Sequence, residues 1–389
     1  MTAYAYPTPA PVAAPAAAGP SRPLVVKVRS VAFWSLIVAS GFGLWTLQKD
    51  FLPVAQAFPA SAVLDVLVLV PTLAVGLWLA RRILRPVQAP PWSGTWLALM
   101  WGGLAACGIA LVMNGLLVPA WTRALGVERA GAWAAAMSAP LNEELAKAAG
   151  VVLLAAVSTR LVRTAADGLV YGALIGLGFQ VMENFTYGLN AVGVSGGVDP
   201  LGSTFDVLWV RILLTGIGSH WAMSAVAGAG IGYLVSANGR SRARRVAVAV
   251  GCLALAMGMH WYFDSPLGGG LAGTVAKPLV NFAITMLVVL VVRHGFRARW
   301  AQVSEEEVML RTLAPDEAHS LSRRHSRRRH LRRFPSGPVR ASQERLQRLE
   351  LDLLEERMPE QLDPAAVQPR RDAVAAARRD PAACWGPAR

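Results

Sequence analysis

The sequence predicts an all-α, polytopic membrane protein with about eight transmembrane helices and both termini in the cytoplasm. Three observations carry this. Hydrophobic residues make up 54% of the 389 and charged ones only 16%, with a mean hydropathy of +0.41, too apolar for an ordinary soluble domain. Apolar runs of about 20 residues, the length that crosses a bilayer core, recur along the chain. The basic residues cluster in alternate loops, as the positive-inside rule requires of a chain that weaves through a membrane.

The runs lie near residues 31–48, 58–80, 94–118, 132–158, 167–189, 207–236, 246–263 and 274–292. Residues 1–29, including PTPAPVAAPAAAGPSRP, form a Pro/Ala-rich tail expected to be disordered; they lack the basic region and apolar core of a cleavable signal. Arg22, Lys27 and Arg29 precede the first run. Arg81, Arg82 and Arg85 follow the second, Arg160 and Arg163 the fourth, and Arg240, Arg242, Arg244 and Arg245 the sixth. The loop 190–206 has no Lys or Arg, which places it on the outer side. A multi-pass protein of the plasma membrane is the expectation, with residues 30–293 as its eight-helix domain.

From residue 294 to 389 the chain turns polar and Arg-rich, with RRHSRRRHLRR at 323–333, and reads as a largely disordered cytoplasmic tail. Its placement accounts for the net charge of +14 through attraction to anionic lipid, and no nucleic-acid partner is expected. Within it SQERLQRLELDLLEERM can form a short amphipathic helix, since Leu346, Leu349 and Leu353 recur at helical spacing. Cys107, Cys252 and Cys384 are too scattered for a disulfide framework or a zinc knuckle.

Chemistry then has to come from polar residues inside the spans, where an ionised group is costly unless paired or facing a cavity. Glu143 and Lys147 share a helical face, beside Glu144, and Pro140 suggests that a new helical segment begins just before them. Gly168, Gly172 and Gly176 make a small-residue ridge on the fifth span, whose face Glu183 extends; Gly216, His220, Ser224, Gly228 and Gly232 repeat the pattern on the sixth. His260 and Asp264 are four apart, the spacing by which a carboxylate orients an imidazole or both share one ligand. Arg211, nine residues before His220, points the opposite way on a continuous helix and is expected to snorkel; Asp65 stands alone.

EELAK (Glu143–Lys147), FQVMEN (Phe179–Asn184), His220 and HWYFD (His260–Asp264), in this order and each on its own span, resemble the motifs of PrsW-type intramembrane proteases. That family belongs to a superfamily with the CAAX prenyl proteases and the gamma-secretase scaffold subunit. The resemblance covers roughly residues 30–295. It implies hydrolysis of a peptide bond in a membrane-anchored protein near the outer face, as in the cleavage of an anti-sigma factor. Glu143 or Glu144 would be the general base, and Asn184 would donate to the oxyanion or hold Glu183. His220 and His260, with Glu183, either bind a zinc ion or act directly on water in a metal-free glutamate mechanism. Two other classes compete: a non-catalytic scaffold or chaperone, which would not need both glutamates, and a proton-coupled transporter, which commonly carries an internal repeat not seen here.

Overall fold

The computed structural model describes residues 28–236, 239–359 and 364–379, and every regular element among them is helical. Helix α1 (Val31–Ala57) turns sharply at Phe58 into α2 (Pro59–Leu79), which ends in a π-helical turn over Ala80–Leu84. Helix α3 (Trp92–Met100) runs through a second π turn, Trp101–Ala106, into α4 (Cys107–Leu125). There follow α5 (Val127–Val157), α6 (Ala165–Val194), α7 (Pro200–Trp209), α8 (His220–Val235), α9 (Arg242–Asp264) and α10 (Gly270–Met309). These correspond to the eight expected runs. Among the described residues six helical spans are long and apolar enough to cross a membrane, or seven if the bent pair of α7 and α8 counts as one span. The fourth expected span, α5, is not among them; Glu143, Glu144 and Lys147 make its middle too polar.

Two local expectations are corrected. Helix α5 passes through Pro140 without a break, so both glutamates sit in mid-helix and not in a first turn. The sixth run is not one helix: after α7 come a π turn over Val210–Leu214 and a 3-10 turn over Gly216–Gly218, and the chain bends by 52° before α8 starts at His220.

Helix α6 is the axis of the bundle and is buried along most of its length. Thr164 and Asp167 cap its N-terminus reciprocally. The glycine ridge does what its spacing predicts: a Cβ at Gly172 would lie 2.1 Å from the carbonyl oxygen of Ser224, and one at Gly176 would lie 2.3 Å from that of His220. Helices α6 and α8 therefore meet backbone to backbone.

The segment after 293 departs from the expected disordered tail. Helix α10 continues to Met309, and α11 (Pro315–Leu321), α12 (Arg324–Leu331), α13 (Pro338–Glu356) and α14 (Pro364–Arg378) fold beneath the bundle. The amphipathic helix is α13, with Leu346 and Leu353 buried. The physical reason is a shared apolar core: Phe296, Trp300, Val303, Leu321, Leu351 and Leu354 pack with Val87 and Ala166 of the membrane domain. Ion pairs of Arg85 with Glu355 (3.1 Å) and of Arg163 with Glu356 (2.6 Å) tie the two parts together, and Asp167 holds Arg85 from the membrane side at 2.9 Å. The expected tail of residues 1–29 and Cys384 lie largely or wholly outside the described residues.

Candidate active site

At the end of the bundle away from α11–α14, a cavity of about 270 Å³ is lined by Asn114, Glu143, Phe179, Glu183, Tyr187, Asn190, Arg211, His220, His260 and Asp264, among others. Helices α4, α5, α6, α8 and α9 and the turn after α7 each supply part of it. Glu143, Glu144, Lys147, His220 and His260 each expose 3% of their surface or less.

Lys147 lies at the centre of the cluster. Its Nζ is 2.7 Å from Glu144 Oε1, 3.6 Å from Glu143 Oε2 and 3.0 Å from His220 Nδ1, and it sits 4.3 Å from the Phe179 ring centroid. An ammonium only donates, so His220 Nδ1 accepts from it. The proton of that ring is then on Nε2, which donates to Glu183 Oε2 at 2.7 Å. Glu183 is paired in turn with Arg211, whose Nε donates to Asn184 Oδ1 at 2.7 Å and whose guanidinium lies over the Tyr187 ring.

His260 Nδ1 donates to Glu144 Oε1 at 2.9 Å. Its Nε2 faces two carboxylates, Asp264 Oδ2 at 3.3 Å and Glu143 Oε2 at 3.8 Å. Glu143 is held from its other oxygen: Asn114 Nδ2 donates to Oε1 at 3.1 Å, and Asn142 Nδ2 donates to Asn114 Oδ1 at 2.8 Å. Glu143 Oε2 is buried without a hydrogen-bond partner and also lies 3.9 Å from His220 Nδ1.

Glu143, Glu144, Lys147, Phe179, Glu183, His220, His260 and Asp264, expected from the sequence, thus come together. Three placements differ from expectation. The carboxylate that stands with both imidazoles within reach of one ion is Glu143; Glu183 contacts His220 from the far side and is engaged by Arg211. Glu144 does not line the cavity and braces Lys147 and His260. Asn184 also lies outside the lining and reaches Glu183 only through Arg211.

Arg211 and Asn114 are the residues that sequence reasoning missed. On one continuous helix Arg211 would point away from His220, but the π turn and the bend reset its phase. Asn114 was legible only as a single amide in an apolar run.

The site is a buried cluster of carboxylates and imidazoles opening on a cavity inside a helical membrane bundle, the makings of a hydrolase that works within the bilayer. A family model for PrsW family intramembrane metalloproteases matches residues 90–293, just over half of the chain, and the protein belongs to that family. It is accordingly an intramembrane protease. No curated protein and no solved structure matches.

Proposed function

We propose that Glu143, His220 and His260 bind one zinc ion and that the cavity hydrolyses a membrane-anchored protein near the outer face. The observation that supports this is Glu143 Oε2, buried, without a hydrogen-bond partner and within 4 Å of a nitrogen on each imidazole. Two histidines and one carboxylate are a zinc donor set. Each imidazole also gives its other nitrogen to a carboxylate, Glu183 or Glu144, the arrangement that orients metal-binding histidines. For an ion to bind, Lys147 has to leave His220 Nδ1, and Glu144 at 2.7 Å is the partner that retains it.

A bound zinc would supply acidity to water and polarise the scissile carbonyl. The residues of the chain do the remainder. Asn114 fixes the rotation of the Glu143 carboxylate, Arg211 fixes Glu183 and through it the His220 tautomer, and Asp264, on the cavity wall beside His260, accepts and returns a proton. Apolar neighbours such as Leu47, Ala110 and Phe263 exclude lipid-facing water and admit an unwound peptide.

A second reading rests on Lys147. With its ammonium on His220 Nδ1 and a proton on His260 Nε2 between Asp264 and Glu143, the cluster is charge-paired without metal. Glu143 then takes the proton of water directly.

The outer-face assignment rests on charge. The cavity opens away from Arg85, Arg163 and the Arg-rich α12, and basic segments mark the cytoplasmic side. A regulated substrate of the plasma membrane, such as an anti-sigma factor, fits that side. The test is metal analysis of the purified full chain alongside cleavage of a single-span reporter. About one zinc per chain is expected, lost in His260→Ala together with cleavage. Wild-type protein that cleaves without metal would establish the second reading, and cleavage by Glu143→Gln at the wild-type rate would overturn both.

A further inference from the structure

Asp65 belongs to none of the motifs and lies outside the matched residues 90–293. The structure buries it completely. Ser61, Asp65 and Leu69 form the buried stripe of α2, one turn apart, and the stripe faces α6 and α7. The Asp65 carboxylate presses on Gly188 so closely that a Cβ there would come within 2.1 Å of Oδ1, and Thr204 of α7 donates to the Gly188 carbonyl at 3.2 Å.

Among the described residues neither Asp65 oxygen has a hydrogen-bond partner, and neither do Ser61 Oγ nor Asn184 Nδ2. An unsatisfied carboxyl in a membrane interior is expensive, and apolar replacement would remove that cost. These atoms are complementary in kind: Ser61 and Asn184 Nδ2 offer donors, and Asp65 offers acceptors. Asn184 is one turn before Gly188 on α6 and is 1% exposed, so its side chain leaves the same face of α6 about 6 Å along the axis from the Asp65 contact. With Oδ1 engaged by Arg211, the amide has only Nδ2 left to offer.

We propose that an internal water joins the Asp65 carboxylate to Asn184 Nδ2, which makes Asp65 a positioning residue for the active site. A buried water needs two to four polar partners, and Asp65, Ser61 and Asn184 supply them. The polar chain then runs from Asp65 through water to Asn184, to Arg211, to Glu183 and to His220 Nε2. Asp65 touches no substrate; it fixes the amide against which Arg211 is set. This inference rests on the site proposed above.

The experiment compares Asp65→Leu, Asp65→Asn and Glu143→Gln in the full chain, measuring kcat and KM on a single-span reporter and the thermal midpoint in detergent. Asp65→Leu should keep or raise the midpoint while kcat falls roughly tenfold or more with KM within about twofold, the size of effect seen when a group that orients a catalytic residue is lost. Asp65→Asn, which still hydrogen-bonds a water, should retain most of kcat. Full kcat in Asp65→Leu would overturn the proposal. So would equal losses in Asp65→Leu and Asp65→Asn that track a lowered midpoint, since packing alone moves both together. Undiminished cleavage by Glu143→Gln would instead refute the site reading, a result separate from either Asp65 outcome.

Discussion

Replacing Lys147 with Met removes the one ammonium at the centre of the cluster while keeping a chain of similar length in a site where Lys147 is 1% exposed. Glu144 is then left with His260 Nδ1 as its one remaining partner on Oε1, and Glu144 Oε2 has none already. Both members of the Lys147–Glu144 pair are buried, so solvent screening is slight. Removing one partner of a buried pair costs about 3–5 kcal/mol because the other charge is stranded. That is on the order of a third of a typical folding free energy. If stranding is the cause, removing the stranded charge should restore part of the loss. Lys147→Met with Glu144→Gln should be more stable than the sum of the single changes by about 1 kcal/mol or more. Reversible unfolding in mixed micelles, followed through the 13 tryptophans, measures all four corners of the cycle. A cost below about 1 kcal/mol for Lys147→Met, with the two changes additive within about 0.5 kcal/mol, would refute the reasoning.

Gly172→Leu should destabilise by about 1–3 kcal/mol or more, since its side chain must enter space held by the Ser224 carbonyl; Gly251→Leu, where nothing lies within 4 Å, should leave the midpoint unchanged, and a matching loss at both sites would discredit the ridge. In α13, burial first and the charge of Glu317 next hold the Glu350 carboxyl well above its usual value of 4.5. The folded state therefore binds the proton more tightly, so this contribution is fully present below pH 4.5 and is lost as pH rises through the folded value. Glu350→Gln should slow hydrogen exchange in α13 at neutral pH and flatten its rise with pH, and an unchanged pH slope would count against this.

The spans and the helix-packing glycines were legible because apolar length and a period of four survive any tertiary arrangement. So were Glu143, Glu144, Lys147, Glu183, His220 and His260, because an ionisable group in lipid is rarely idle. Arg211 was not, because its direction depends on a π turn and a bend that leave no mark in hydropathy. The exchange of Glu183 for Glu143 beside the imidazoles depends on Arg211 too, since the guanidinium claims the carboxylate that the sequence offered as a ligand. In the C-terminal segment, the leucine spacing of α13 announced a helix. The core that orders its neighbours did not, because Val87 and Ala166 come from loops and helix ends far away in sequence.

The backbone contact between α6 and α8 carries a mechanical consequence. Along the Gly168, Gly172 and Gly176 ridge the two backbones touch, so the helices cannot slide or part there without losing the seam, which holds Glu183 and His220 against each other. The contact between Glu183 and His220 is thus set by the seam itself. The break in the enclosure lies elsewhere, in the segment between α7 and α8, which bends by 52° and carries Arg211 to Glu183.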